Sequence, residues 1–105
     1  MMDIDFKSRE NRPGVDAIKK IAAHIREDIV LELVEAKSGH PGGSLSCTDI
    51  LACLYFNRMR HDPENPKWEQ RDRMLLSKGH AAPALYATLA ECGYIPDEQS
   101  GHILF

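Results

Sequence analysis

The sequence predicts an α/β layer fold that is rich in helices and whose parallel sheet is incomplete. Three segments place apolar residues at helical spacing, and a short apolar run lies between the second and third of them. The predicted order is helix, glycine-rich loop, helix, strand, turn and helix, which is typical of α/β folds. Because one strand cannot close a sheet, we expect the chain to form the first part of a larger domain.

The first helix is predicted from Val15 to about Lys37. Seven apolar residues recur there at intervals of three and four, the spacing of one helix face. They are Ile18, Ile21, Ala22, Ile25, Ile29, Leu33 and Ala36. Ser38-Gly39 should end this helix, since glycine readily adopts the left-handed conformation. Residues 1–14 then form a lead-in segment, and residues 15–105 form the partial domain.

A glycine-rich loop and a second helix follow. Residues 38–46, SGHPGGSLS, contain three glycines and a proline and are predicted to form a loop. The sequence Ser46-Cys47-Thr48-Asp49 matches a capping box, so the second helix is expected from about Leu45 to Met59. Residues 50–56 are all apolar, which predicts that this helix is buried.

The remaining elements are shorter. Residues 57–73 are polar, contain two prolines and are predicted to form a surface connection. The apolar run Met74-Leu75-Leu76 predicts a buried strand. A third helix is expected over 81–92, with Gly93 as its natural end.

Composition excludes several classes of protein. The 105 residues include 13 Lys and Arg against 16 Asp and Glu, a net charge of -3, which argues against binding nucleic acid. The apolar run at 50–56 is too short to cross a bilayer. Three cysteines without a C-x-x-C pair argue against a disulfide scaffold. We therefore expect a cytoplasmic protein with reduced thiols that binds neither nucleic acid nor membrane.

Two histidines lie beside glycine in predicted loops, His40 in SGHPGGS and His80 in SKGH. Ligands bind at the carboxyl ends of strands in α/β sheets, and a glycine-flanked turn before a helix offers N–H groups to an anion such as phosphate. A neutral imidazole can also move a proton near pH 7. A loop histidine bonded only to its neighbours is the alternative that these residues leave open. His24 is expected at the surface or its boundary, and His61 in a solvated turn.

The connected motifs resemble the N-terminal part of transketolase over about residues 18–96. The matching segments are AKSGHPGGSLS at 36–46, PENPKW at 63–68, RDR at 71–73, LLSKGHA at 75–81 and YATLAECGY at 86–94. The S-G-H-P-G and S-K-G-H motifs in this order are more similar to transketolase than to deoxyxylulose-phosphate synthase or the dehydrogenase E1 components.

The resemblance implies a fold and an activity. The first domain of transketolases is a parallel-sheet domain that binds thiamine diphosphate with a divalent metal, here expected to be Mg²⁺. These enzymes transfer a two-carbon ketol group between sugar phosphates. By motif, His40 would bind substrate hydroxyls and assist proton transfer, and His80 would lie by the reacting centre. His80 and Gly79 would border the cofactor diphosphate.

The resemblance also implies partners and a limit. The family's active site lies between two subunits, so we expect a C-terminal transketolase section or a second subunit, in a homo- or hetero-oligomer. The family's G-D-G…N segment, which holds the metal and the diphosphate, does not occur in this sequence. We therefore expect the main cofactor ligands to lie outside this chain and the chain alone to be inactive. A non-catalytic interaction module or an unstable fragment of the same family is the alternative.

Overall fold

Three α-helices pack against one another in the part of the chain that the computed structural model describes, residues 4–36 and 41–95. Two short helical turns extend them, a π-helical turn after the second helix and a 3₁₀ turn before the third. The helices are α1 (Val15–Ala36), α2 (Pro41–Cys53) and α3 (Ala82–Cys92), and the turns are Leu54–Arg58 and Gly79–Ala81. No helix among these residues is both long enough and apolar enough to cross a bilayer.

The first predicted helix is confirmed. α1 begins at the predicted residue, Val15, and ends at Ala36, one residue before the predicted end. Its apolar stripe faces the other helices, and Ile25 and Ile29 are fully buried. The predicted stop at Ser38-Gly39 lies outside the described residues.

α2 begins earlier than the sequence predicted. Its first residue is Pro41 rather than about Leu45, so the second half of the predicted loop is helical. Proline is favoured at the first helical position because its φ is already helical. The N–H that it lacks would have no intrahelical acceptor at that position. The predicted capping box is wrong, because Ser46 lies within α2 and its Oγ donates to the carbonyl of Gly43 at 3.1 Å.

The predicted strand at Met74–Leu76 is wrong. Residues 71–78 form neither helix nor strand, and Leu75 is 92% exposed. A strand is stable only where a neighbouring strand accepts and donates its backbone hydrogen bonds. No strand occurs within residues 4–36 and 41–95, so only the helix-rich part of the predicted α/β fold is confirmed.

The third predicted helix is confirmed to within one residue. α3 starts at Ala82 and has Pro83 in its first turn, where proline is tolerated. Gly93 has a φ of 102°, and its N–H lies 3.1 Å from the carbonyls of Leu89 and Ala90. This left-handed ending is the one that the glycine predicted.

Residues 4–14 of the lead-in segment are part of the packed structure. Phe6 is buried, and its ring centroid lies 5.6 Å from that of Phe56. The guanidinium of Arg12 donates hydrogen bonds to four backbone carbonyls and lies 5.4 Å from the Phe6 ring centroid. The carbonyls are those of Phe6 (2.8 Å), Ser8 (2.6 Å), Tyr55 (3.4 Å) and Met59. Arg12 therefore joins the lead-in segment to the π-helical turn after α2.

Candidate functional site

The segment that precedes α3 lies against the start of α2. Lys78 Nζ is 3.4 Å from the carbonyl oxygen of Gly43 and 3.3 Å from Ser46 Oγ. Both of these groups belong to the first two turns of α2, which begins directly after His40 in the sequence. The Lys78 contacts therefore bring the two glycine-histidine segments of the sequence to one corner of the molecule, which we call the Lys78 corner.

The backbone at this corner is open. Gly79 begins the 3₁₀ turn, in which the Ala81 N–H donates to the carbonyl of Lys78 at 3.0 Å. A Cβ added at Gly79 or at Gly42 would meet no atom within 4 Å, so packing between described residues does not require glycine there. Glycine at such a position lets another molecule approach the backbone closely.

The Lys78 corner can hold an anion. The first N–H groups of a helix have no intrahelical acceptor, and the helix dipole is positive at that end. The start of α2 and the turn that leads into α3 meet here, and the exposed Lys78 adds a positive charge. Backbone N–H groups with an ammonium group suit a phosphate or diphosphate.

The structure does not describe the side chain of either predicted catalytic histidine. His40 lies outside the described residues, and His80 is placed only as a backbone position inside the 3₁₀ turn. Gly79 is an exposed backbone position in that same turn. The proximity of the two segments is thus observed through Lys78, whereas the roles of His40, His80 and Gly79 stay predictions.

The described residues near Lys78 do not fit a magnesium site. Asp49 of α2 is ion-paired with Arg26 of α1, at 2.9 Å. Among the described residues, the group of side chains that could hold a metal ion is His24, Asp28 and Glu91. Glu91 is nine residues beyond the first residue of α3, or roughly 14 Å along the helix axis. The magnesium implied by the resemblance has no ligand set among the described residues of this corner.

His61, predicted to be a solvated residue, is buried instead. It is 2% exposed and its ring stacks against those of Phe6 and Tyr94, with centroids 4.5 and 5.6 Å away. Its Nε2 lies 2.8 Å from the Tyr55 carbonyl, and its Nδ1 lies 2.6 Å from the Tyr94 hydroxyl. Burial lowers the pKa of His61, so the neutral ring donates from Nε2 and accepts the Tyr94 proton at Nδ1.

Glu32 is a buried carboxyl group that the sequence analysis did not single out. It is 1% exposed, and neither carboxyl oxygen has a hydrogen-bond partner among the described residues. Burial raises the pKa of Glu32 to about 8, and the nearby Asp28 carboxylate acts in the same direction. The available signal was its position, since Glu32 follows Ile29 by three residues on the apolar face of α1.

A corner with two helix starts, glycines and a lysine is typical of domains that bind phosphate groups. A comparison with protein families identifies which family of such domains the chain matches. The model described as "Transketolase, thiamine diphosphate binding domain" matches residues 17–100. The chain belongs to this transketolase family.

Three relatives show how the chain relates to whole enzymes. The 6-deoxy-6-sulfo-D-fructose transketolase subunit SqwG from Clostridium sp. (strain MSTE9) is 54% identical over 74 residues, which are 70% of this chain and 27% of that protein. An apulose-4-phosphate transketolase subunit from Phocaeicola vulgatus is 48% identical over 73 residues, 70% of this chain and 26% of that protein. Human transketolase is 39% identical over 91 residues, 87% of this chain and 15% of that enzyme. The chain thus matches about a quarter or less of each relative's length.

Proposed function

We propose that the chain forms the N-terminal portion of a transketolase-like enzyme that transfers a two-carbon ketol group between sugar phosphates. Membership of the family supports thiamine diphosphate as the cofactor and a transferase as the enzyme class. The observation that carries the proposal to this chain's own residues is the contact of Lys78 with the start of α2. That contact joins the two segments that hold the predicted catalytic histidines.

Each residue of the Lys78 corner has a proposed task. His40 binds substrate hydroxyls and moves a proton, and His80 acts close to the reacting centre. His80, Gly79 and Lys78 bind the diphosphate together with the backbone N–H groups that begin α2. Thiamine diphosphate, when bound, supplies the chemistry that breaks and forms the carbon–carbon bond. The expected Mg²⁺ takes its ligands from transketolase sequence outside the described residues.

We also propose that the chain works with further transketolase sequence, either a C-terminal section or a second subunit in a homo- or hetero-oligomer. Two of the relatives are named as subunits. Val30 and Leu31 of α1 are 48% and 60% exposed, and with Leu45 of α2 they line an apolar groove of about 610 Å³. Covering exposed apolar surface of this kind stabilises an assembly, which supports a partner for this face of α1.

The proposed location is the cytoplasm. Cys47, Cys53 and Cys92 are all free thiols. Thiols stay reduced in the cytoplasm, whereas secreted proteins usually pair them.

The test uses a completed enzyme in which this chain replaces the aligned section of the Clostridium protein. Ketol transfer is measured from the ketose in that relative's name. His40→Ala and His80→Ala should each lower kcat about 100-fold, the usual loss when a proton-transfer group is removed. Lys78→Ala should raise the thiamine diphosphate concentration needed for half-maximal activity by about tenfold, because one charge on the diphosphate loses its partner.

Lys67→Ala is the matched control, because Lys67 is also exposed but lies on the connection between α2 and α3. It should leave both parameters unchanged. If both histidine variants retain full kcat, the site assignment is wrong. A folded, assembled but inactive chimera with the unmodified chain would contradict the proposed activity itself.

A further inference from the structure

His24, Asp28 and Glu91 form a cluster of metal-ligating side chains away from the Lys78 corner. Their ligand atoms all lie within 4.8 Å of one another. His24 and Asp28 are one turn apart on α1, and Glu91 lies in the last turn of α3. His24 Nε2 is 3.3 Å from Glu91 Oε1, so the cluster spans the contact between the two helices.

The cluster carries an excess of negative charge. Asp28 is partly buried and has no hydrogen-bond or ion-pair partner within residues 4–36 and 41–95. Glu27 Oε2 lies 3.8 Å from His24 Nδ1, so three carboxyl groups surround one imidazole. Lys20 lines the adjacent cavity of about 510 Å³ with His24 and Glu91. Carboxylates held this close repel one another, and a bound cation would relieve that repulsion.

The donor atoms select the kind of cation. One imidazole nitrogen with two carboxylates suits zinc, whereas magnesium prefers a set made only of oxygen atoms. Zinc–ligand distances of about 2.0 Å place tetrahedral ligand atoms about 3.3 Å apart. The pair His24 Nε2 and Glu91 Oε1 already has this separation, at 3.3 Å. An oxygen of the Asp28 carboxylate lies within 4.8 Å of both atoms, so a side-chain rotation that brings it to about 3.3 Å would complete a three-residue site.

We propose that Zn²⁺ binds between α1 and α3 at His24 Nε2 and the carboxylates of Asp28 and Glu91, with water in the remaining position. The bound ion ties the middle of α1 to the end of α3. This site is separate from the cofactor's magnesium and does not depend on the proposed enzymatic activity.

The first test is calorimetric titration of the whole 105-residue chain with Zn²⁺ alone. One site with micromolar affinity is expected. His24→Asn and Asp28→Asn should each weaken this affinity at least about tenfold, since each removes a ligand. Glu27→Gln is the matched control, because Glu27 neighbours His24 but lies outside the cluster, and it should change the affinity less than about twofold.

Other histidines and the free thiols can also bind zinc, so the location is tested separately. Zinc should raise the Tm of the unmodified chain and of a His40→Ala, His80→Ala double variant, but not that of Glu91→Gln. If His24→Asn binds zinc as tightly as the unmodified chain, the ion lies elsewhere and the proposal is wrong. Absence of binding at about 100 µM Zn²⁺ would overturn it as well.

Discussion

His61 and Glu32 are both buried titratable residues, and their surroundings differ in every respect. The ring of His61 has a hydrogen-bond partner at each nitrogen and lies against the aromatic rings of Phe6 and Tyr94. The carboxyl group of Glu32 has no hydrogen-bond partner among the described residues, and the nearby Asp28 carboxylate disfavours its ionised form. His61 is accommodated in the core as a neutral, hydrogen-bonded ring, whereas Glu32 is accommodated there as a protonated, uncharged carboxyl group.

The difference shows where the stability of this chain comes from. The His61 corner, which we define as Phe6, Arg12, Tyr55, His61 and Tyr94, satisfies its own polar groups, and such networks rigidify a fold. At the Glu32 end of α1, burial of a carboxyl group that has no hydrogen-bond partner among the described residues costs free energy of folding. Three apolar residues beside it are exposed: Val30, Leu31 and Val34. Mutations at the His61 corner should therefore destabilise the chain, whereas the Glu32 end leaves room for stabilisation.

The largest effect is expected from Arg12→Ala. It removes a donor from four backbone carbonyls, of which those of Phe6 and Tyr55 keep a second donor in His61, and it removes the cation above the Phe6 ring. The loss of four hydrogen bonds from a charged, part-buried donor should lower the free energy of unfolding by about 4 kcal/mol. Urea unfolding followed by circular dichroism measures this change.

Arg9→Ala is the control for Arg12→Ala. Arg9 also bonds a carbonyl and a carboxylate, but its side chain is 56% exposed. The exposed pair should contribute less than about 1 kcal/mol. Equal losses in the two variants would show that the His61 corner does not depend on Arg12.

A smaller effect, of opposite sign, is expected from Glu32→Gln. The pKa of Glu32 rises from its ordinary 4.5 to about 8 in the fold, so the folded chain retains a proton that the unfolded chain releases. The contribution of protonated Glu32 to the free energy of unfolding is fully present below pH 4.5 and is lost as the pH rises towards 8. Glutamine does not ionise, so the stability of the variant relative to the unmodified chain should grow by about 3.5 kcal/mol between pH 5 and pH 8.

Thermal unfolding at both pH values measures this difference. Glu35→Gln, an exposed position three residues further along α1, serves as the control and should show no such growth. A pH-independent difference for Glu32→Gln would mean that the carboxyl group is already ionised in the fold.

The smallest effect concerns His61, whose contribution to stability decreases as the pH falls, whereas that of Glu32 decreases as the pH rises. Burial lowers the pKa of His61 below its ordinary 6.5, so the unfolded chain binds the proton more readily. The stability from neutral His61 is complete above pH 6.5 and is lost as the pH falls below that value. Between pH 7 and pH 5.5 the unmodified chain should lose more stability than His61→Gln, by at most about 1 kcal/mol, the limit set by protonation of the imidazole in the unfolded chain. The same slope in both proteins would assign the loss to other histidines.

The helices were predictable from sequence because their signals are local. The apolar stripe of α1 repeats within its own residues, and Gly93 marks the end of α3 by a conformation that glycine alone adopts easily. The start of α2 was misplaced because Ser46 and Asp49 match a capping box, whereas Pro41 was the better signal. The strand at Met74–Leu76 failed because a strand depends on partners that no short run can specify.

The site was predictable in its parts but not in its assembly. The two glycine-histidine segments were visible in the sequence, but their contact depends on the reach of Lys78 to Gly43, 35 residues away. The burial of His61 depends on Phe6 from the lead-in segment, which has no sequence signal for that packing. The cluster of His24 with Glu91 likewise joins two helices whose relative position is fixed by the core.

The π-helical turn at Leu54–Arg58 decides which group the His61 ring can bind. The amide of Met59 donates to the carbonyl of Leu54, at 2.6 Å, so it passes over the Tyr55 carbonyl that an α-helical turn would give it. That carbonyl instead accepts from His61 Nε2 and Arg12 Nη1. The additional residue in this turn thus frees a carbonyl that an α-helix would use internally. A single insertion or deletion between Cys53 and His61 would therefore break the hydrogen bonds of Tyr55 with His61 and Arg12.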